Sequence, residues 1–439
     1  MAYSPQPIMR ETLREMFVQA LRELDLPARM KERMWAKGTV LEISGDLYPF
    51  DQLRDVRVIA FGKAAAQMAA TIDEILGAGR ARGLVVPSAP PRQPLPNFQY
   101  IVGGHPYPNA HTIEAGEAAL RMAAGATPDT MFLFLISGGG SALLDKPLFD
   151  DISIDDLAAF NRLLVTCGAD IYEMNALRKH FSAVKGGRLA LAAQPGRQAT
   201  IYVSDVPADK PSTVASGPTM PDESSVAECR AIAARYGMIE RLPAAYAARL
   251  GSGDLPETPK PGDPRFAGSR YYAVLSNQDG IDALKRLSER RGWQTVIDVS
   301  CDDWPLARAA DYLLEKLRGL RRQAGGIVCL ISGGELSCPV TGSGIGGRNA
   351  AFALYCAAKI AGQPLAVMSA GTDGIDGNSL AAGAVAAGDT VARACVLGLD
   401  PAESFRQSDS YTFFAALGDE IVTGPTGNNV RDLRMLVAE

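Results

Sequence analysis

Met131-Phe132-Leu133-Phe134-Leu135-Ile136, running straight into Ser137-Gly138-Gly139-Gly140-Ser141, is the stretch on which the fold turns. A strand with one wet face alternates polar and apolar side chains. Six apolar residues in a row instead predict a strand covered on both faces, as in a parallel sheet flanked by helices. Three glycines then let the chain curl and bring its backbone close to a ligand without interference from a Cβ. In open α/β sheets ligands gather outside the carboxyl ends of strands. The loop is therefore expected to hold an anion such as phosphate on its amides, with the two serine hydroxyls assisting; a plain strand-to-helix turn is the structural alternative.

The same grammar extends in both directions. Val56-Arg57-Val58-Ile59-Ala60-Phe61 ends in Gly62-Lys63 and precedes a helical pattern over 64–76. Short strands are expected at 83–86, 100–102 and 200–203, and helices at 112–123 and 225–237. Such alternation builds βαβ units with right-handed crossovers. Ahead of it, Leu13, Phe17, Leu21 and Leu24 recur at helical spacing and predict one amphipathic helix over 10–36. Residues 251–270, rich in Gly, Pro and charge, read as a linker or surface loop that separates a domain of residues 1–250 from one of 271–439. Beyond it the pattern restarts, with strands at 272–275, 295–297, 326–331 and 365–369 and helices at 280–290, 306–323 and 349–360. Cys329-Leu330-Ile331-Ser332-Gly333-Gly334 echoes Phe134-Leu135-Ile136-Ser137-Gly138-Gly139, which suggests one physical solution used in each half: a strand end whose backbone amides face a ligand.

The totals exclude several classes. Across 439 residues, 44 basic against 49 acidic side chains give a formal charge of −5, with no long basic run to attract nucleic acid. No apolar run approaches the roughly 20 residues of a membrane span, and the N-terminus lacks the apolar core of a signal peptide. Seven scattered cysteines, with no CxxC pair, read as reduced thiols of a cytoplasmic protein.

The remaining motifs are charged or glycine-rich strand ends. Lys63 offers an ammonium at the carboxyl edge of the first sheet. Thr341-Gly342-Ser343-Gly344-Ile345-Gly346-Gly347-Arg348-Asn349 contains a literal GxGxxG and opens a helix, whose N-terminal amides and Arg348 suit phosphate or carboxylate oxygens. As a dinucleotide fingerprint it is poor. Its strand ends too early, and no acidic residue ends a second strand about 20 residues on. No Walker A sequence is present. Asp205 and Asp209 follow one strand, and Asp373 and Asp376 another. Both sets suit Mg²⁺, and both also suit Asx turns and helix caps. Glu335 is a further candidate for metal or substrate. His105, in Gly103-Gly104-His105-Pro106-Tyr107-Pro108-Asn109, is either a substrate contact or an ordinary loop residue. Ser216-Gly217-Pro218-Thr219 is a turn whose hydroxyls are placed to meet substrate.

Together FGKAAAQM (61–68), GGHPYPN (103–109), ISGGGSALL (136–144), NALRKHFSAVKGGRLA (175–190), SDVPAD (204–209), SGPT (216–219), ISGGELSCPVTGSGIGGRNAAFAL (331–354), SAGTDGIDG (369–377) and GPTGNNVRD (424–432) resemble the glycerate 2-kinase family, the class II glycerate kinases with a C-terminal MOFRL domain. The resemblance implies an α/β chain of two non-similar three-layer α/β/α domains, the first with a parallel Rossmann-like sheet, and an active site in the cleft between them. It implies ATP-dependent phosphorylation of D-glycerate to 2-phospho-D-glycerate with Mg²⁺. Lys63, Arg348 and Asp373 are then the catalytic residues. Ser137, Gly138, Gly139, Gly140, Ser141 and Asn277 are implied for ATP and its phosphates, His105, Glu335 and Gly347 for the substrate, and Asp205 and Asp209 for the metal. The implied partners are small molecules, without nucleic acid or membrane, and the protein is a monomer or homodimer. Some members of the family are called hydroxypyruvate reductase, so NAD(P)H-dependent reduction of hydroxypyruvate is the alternative activity.

Overall fold

The structure, a computed structural model, describes residues 6–207 and 209–439. They form two compact units. One is Leu26–Val274; the other joins the described residues up to Asp25 to Leu275–Glu439.

The Leu26–Val274 unit begins with a small antiparallel meander of β1 (Met34–Lys37), β2 (Val40–Ile43) and β3 (Asp46–Pro49). Its main sheet contains β4 (Asp55–Phe61), β5 (Arg82–Val86), β6 (Phe98–Tyr100), β7 (Thr130–Ile136), β8 (Arg197–Val203) and β9 (Ser269–Leu275), in the order β6-β5-β4-β7-β8-β9. The first five strands in that order run parallel. Every residue of β7 is buried, as its unbroken apolar run predicts. Phe132, Phe134 and Ile136 pack with Ala115 and Ala119 of the helix Ala110–Ala123. Met131, Leu133 and Leu135, which alternate with them along the strand, are equally enclosed. The parallel sheet carries the carboxyl ends of β4, β7 and β8 to one edge, so Lys63, the Ser137–Ser141 loop and Asp205 share that edge.

The second unit holds β10 (Gln294–Ile297), β11 (Val328–Gly333), β12 (Leu365–Gly371), β13 (Gly383–Ala387), β14 (Glu420–Ile421) and β15 (Asp432–Ala438), in the order β10-β11-β15-β12-β13-β14. Only β10 and β11 are parallel; every other pairing is antiparallel. The helices Gln6–Glu23 and Asn277–Glu289 cover one face through Leu13, Phe17, Ile281 and Leu284. The helices Leu306–Gln323 and Arg348–Lys359 cover the other, with Leu313, Leu317 and Phe352 against Leu330 and Leu436. Three layers result.

Three expectations change. The helix over 10–36 is two helices, Gln6–Glu23 and Leu26–Arg33, because Pro27 has no N–H to continue the first. The first of them packs in the second unit, so the N-terminal and C-terminal segments share a core. The boundary also moves from 250/271 to 274/275. Residues 251–270 belong to the first unit: the Asp222 amide donates to the Pro259 carbonyl at 2.8 Å, and the Thr258 hydroxyl donates to Asp222 at 2.8 Å. The strand expected at 272–275 is the outer end of β9. Among the described residues, no helix is long and apolar enough to cross a membrane.

Candidate active site

Gly62 ends β4 at φ +117°, and a Cβ there would lie 2.3 Å from Ser137 Oγ and 2.4 Å from the Ser137 carbonyl oxygen. Only glycine lets the two strand ends approach this closely. The Lys63 amide donates to the Gly138 carbonyl at 3.0 Å, and the Ala64 amide donates to Ser137 Oγ at 3.0 Å. These bonds fasten the Lys63 backbone to the glycine loop. A Cβ on Gly138 would lie 2.4 Å from Asp205 Oδ2; one on Gly139, at φ +83°, would lie 3.1 Å from the His105 ring and 3.4 Å from Lys63 Cγ. Lys63, His105 and Asp205 therefore converge on two consecutive glycines. Among the described residues, the amides of Gly138 and Gly139 have no hydrogen-bond acceptor. Burial first, and the Lys63 ammonium second, hold the His105 pKa below the ordinary imidazole value, so the ring is neutral near pH 7.

The loop is braced from below. Ser141 Oγ lies 2.9 Å from Ser216 Oγ, and the Ser216 hydroxyl donates to Asn175 Oδ1 at 2.9 Å. Ser216 is fully buried, and the Thr200 hydroxyl donates to Thr219 Oγ1 at 3.0 Å. The hydroxyls of this turn therefore face the protein, against the expectation that they meet substrate. Asp209 is exposed and lines a separate cavity of about 700 Å³ with Tyr172, Lys179 and Lys210.

The second unit presents a charged network around Arg348. Its Nε donates to Asp432 Oδ2 at 2.6 Å and its Nη2 to Asp432 Oδ1 at 3.1 Å, while Nη2 lies 3.0 Å from Glu335 Oε1. Arg348 and Asp373 both line a cavity of about 890 Å³, whose lining also includes Leu306, Leu336 and Phe405. Asp373 Oδ1 accepts the Ile375 amide at 3.1 Å, the Asx-turn geometry that was its structural alternative. Asn277 is engaged internally. Its side-chain amide donates to the carbonyls of Val430 and Asp432 at 2.7 and 3.0 Å, and its Oδ1 accepts the Gly334 amide at 3.1 Å. Contact with ATP would require exchanging these bonds.

The helix N-terminus at Arg348 is already capped. Asp376 accepts the amides of Asn349 at 3.0 Å and Ala350 at 2.8 Å. A Cβ on Gly347 would lie 2.3 Å from the Asp376 Oδ1, so this glycine serves the close approach of the cap. The loop that holds the literal GxGxxG is likewise engaged in part by its own chain. The amides of Thr341 and Ile345 donate to Ser408 Oγ and Asp409 Oδ1 at 3.0 and 2.9 Å. Those of Gly344 and Gly346 donate to the Gln407 carbonyl at 2.9 Å and to Asn378 Oδ1 at 2.8 Å. These glycines permit packing against 406–410, and the amides of Thr341, Gly344, Ile345 and Gly346 are not available to a phosphate.

Residues 12–251 match a family described as a domain of unknown function, DUF4147, and residues 328–432 match the MOFRL family. A D-glycerate 2-kinase from Thermotoga maritima is 33% identical over 86% of this chain and 89% of its own length. The chain belongs to the MOFRL-containing glycerate kinase family. The crystal structure of glycerate kinase from the same organism superposes with a TM-score of 0.83 at 29% identity, covering 99% of this chain and 100% of that one. A relative from Agrobacterium vitis, 37% identical over 87% of this chain and 86% of its own length, is named only provisionally, as a hydroxypyruvate reductase.

For a member of this family the donor set for Mg²⁺ is sparse. Among the described residues, no group of three or more His, Cys, Asp or Glu side chains is arranged to hold a metal. The carboxylate of Asp205, beside Gly138, nevertheless fits the ion, because Mg²⁺ is commonly held by one or two carboxylates with phosphate oxygens and water completing the shell. Asp432, Arg434, Asn175 and Asp376 are the residues whose importance the sequence reading missed or left unassigned. The motifs containing Asp432 and Asn175 were visible, but their roles depend on contacts across 84 and 41 positions of chain.

Proposed function

We propose that this protein transfers a phosphoryl group from ATP to D-glycerate and forms 2-phospho-D-glycerate. The observation that carries the reading is the pair of amides at Gly138 and Gly139, unpartnered among the described residues and set beside Lys63 in a chain with relatives named for glycerate phosphorylation. Phosphoryl transfer needs positioning and charge stabilisation more than covalent chemistry. The two amides and the Lys63 ammonium hold phosphate oxygens. Asp205 is the residue that would hold Mg²⁺, which when bound neutralises charge on the phosphates. Neutral His105 orients substrate by hydrogen bonding without adding a second cation. Arg348 stabilises charge on the transferring group, and Asp373 orients the glycerate hydroxyl or takes its proton. The described cysteines are all free thiols, which supports a reducing, cytoplasmic setting.

The reductase alternative leaned on the GxGxxG loop, in which the amides of Thr341, Gly344, Ile345 and Gly346 are engaged by residues 378 and 407–409. Both activities can be tested on one preparation. With D-glycerate, ATP and Mg²⁺, ADP should form and enolase alone should convert the product, with no oxidation of NADH when hydroxypyruvate is offered. ADP without an enolase-competent product would contradict the 2-phosphate assignment, and NADH consumption alone would contradict the kinase. Lys63→Ala and Arg348→Ala should each lower turnover at least ~100-fold, the scale of losing one electrostatic stabiliser; near-normal turnover in either would remove its assigned role.

A further inference from the structure

We infer that Asp432 is the positioning residue of Arg348, and that Arg434 behind it keeps Arg348 effectively cationic. The inference rests on the reading in which Arg348 meets the transferring phosphoryl group. Arg348 is the first residue of its helix, with a side chain 36% exposed. Unrestrained, a side chain of this length would sample many rotamers and lose conformational entropy on meeting a ligand. Asp432, 1% exposed, removes that freedom by gripping Nε and Nη2 together, the two-point geometry that fixes the plane of a guanidinium.

Asp432 is itself fixed. Asn349 Nδ2 donates to its Oδ1 at 2.9 Å, and Arg434 Nη2 donates to its Oδ2 at 3.2 Å. Arg434, also 1% exposed, is anchored on the carbonyls of Gly333 and Gly334 at 3.1 Å each, with its guanidinium carbon 5.5 Å from the centre of the Phe352 ring. In β15 the alternation of side chains sets Asp432 and Arg434 on the same face, two residues apart.

The charges explain why two arginines are present. A lone Asp432 would cancel the charge of Arg348 and leave little to offer an anion. Arg434⁺ and Asp432⁻ together form a neutral, buried support, so Arg348⁺ keeps its charge for an incoming phosphate. The other acids that act on Arg348 are Glu335, which is partly exposed and can yield its contact, and Asp376, whose oxygens are already turned to the Asn349 and Ala350 amides.

A buried ion network of this kind could also be purely a stability device, so the test separates the two roles. Asp432→Glu keeps the charge that the fold requires and displaces the carboxylate; Asp432→Asn keeps the shape and removes the charge. Each is made in the wild-type and Arg348→Ala backgrounds, and kcat, the KM for ATP, the KM for D-glycerate and thermal melting are recorded. A group that acts only through Arg348 should lower kcat about 10- to 100-fold in the wild type, with less than about a 3-fold change in the KM for D-glycerate, and under about 2-fold further in the Arg348→Ala background. Wild-type kcat in either folded Asp432 variant, or the same fold-loss repeated without Arg348, overturns the positioning role alone. Near-normal turnover of Arg348→Ala by itself overturns the reading of Arg348, and this inference with it.

Discussion

The two Ser-Gly-Gly strand ends look alike in sequence and share one backbone device: Gly139 and Gly334 both adopt φ +83°. Their surroundings differ. After β7, the amides of Gly138 and Gly139 have no partner among the described residues, and the groups against them are the side chains of Asp205, His105 and Lys63. After β11, the Gly334 amide is taken by Asn277, and the carbonyls of Gly333 and Gly334 by Arg434. The cause is topological. β7 lies between parallel neighbours, and its end opens at the sheet edge. β11 lies beside antiparallel β15, which pairs Gly333 with Leu433 and delivers Asp432 and Arg434 to the same place. The first strand end offers backbone donors directly, whereas the second supports a donor, Arg348, carried on a neighbouring helix. Among the described residues, the same three residues leave two amides open in one unit and are bonded into the protein in the other.

Substitution of the matching glycines should break the likeness in opposite ways. Gly333→Ala places a Cβ 1.9 Å from Asn277 Oδ1 and 2.7 Å from Ile281 Cδ1, in a packed interior. Overpacking there should cost about 3 kcal/mol, which for a unit of this size lowers the melting temperature by roughly 6–12 °C. Calorimetry on the folded protein measures it. Gly138→Ala meets only the Asp205 carboxylate, at 2.4 Å, the end of a side chain that can move. Melting should shift by no more than a few degrees while turnover falls about 100-fold, as for a lost electrostatic stabiliser. A variant that is unstable but active at Gly138, or stable but inactive at Gly333, would reverse the assignment.

A smaller effect concerns the cap beneath Arg348. Burial raises the Asp376 pKa to about 6 from an ordinary value of 3.8. The folded protein then binds this proton more tightly than the unfolded chain, so the stabilising contribution is full below pH 3.8 and is lost as the pH rises through about 6. Asp376→Asn removes the titration, and the slope of stability against pH across that window should flatten. An unchanged slope would show that the carboxyl titrates at its ordinary value.

The sequence carried much of the first sheet because continuous apolar runs such as Met131–Ile136 state their own burial. It carried less of the second. β13, Gly-Ala-Val-Ala-Ala at 383–387, is too short and small to stand out, and β15 is interrupted by Asp432 and Arg434. The helix Gln6–Glu23 announces an apolar face, but periodicity cannot say which core receives it. Lys63, His105, Asp205 and the glycine loop were readable together because each follows a strand whose end lies at one edge. The glycine run at 341–347 was ambiguous for a related reason. Glycines that let a chain approach phosphate and glycines that let it approach another loop are the same letters, and only the partner of each amide distinguishes them.

Amide hydrogen exchange with and without ATP and Mg²⁺ tests that distinction most directly on the unmodified protein. The account predicts slowed exchange at Gly138 and Gly139 on addition of nucleotide, with no change at 341, 344–346, 349 and 350, where the amides are already bonded within the protein. Protection that appears at those positions and leaves Gly138 and Gly139 unaffected would contradict it.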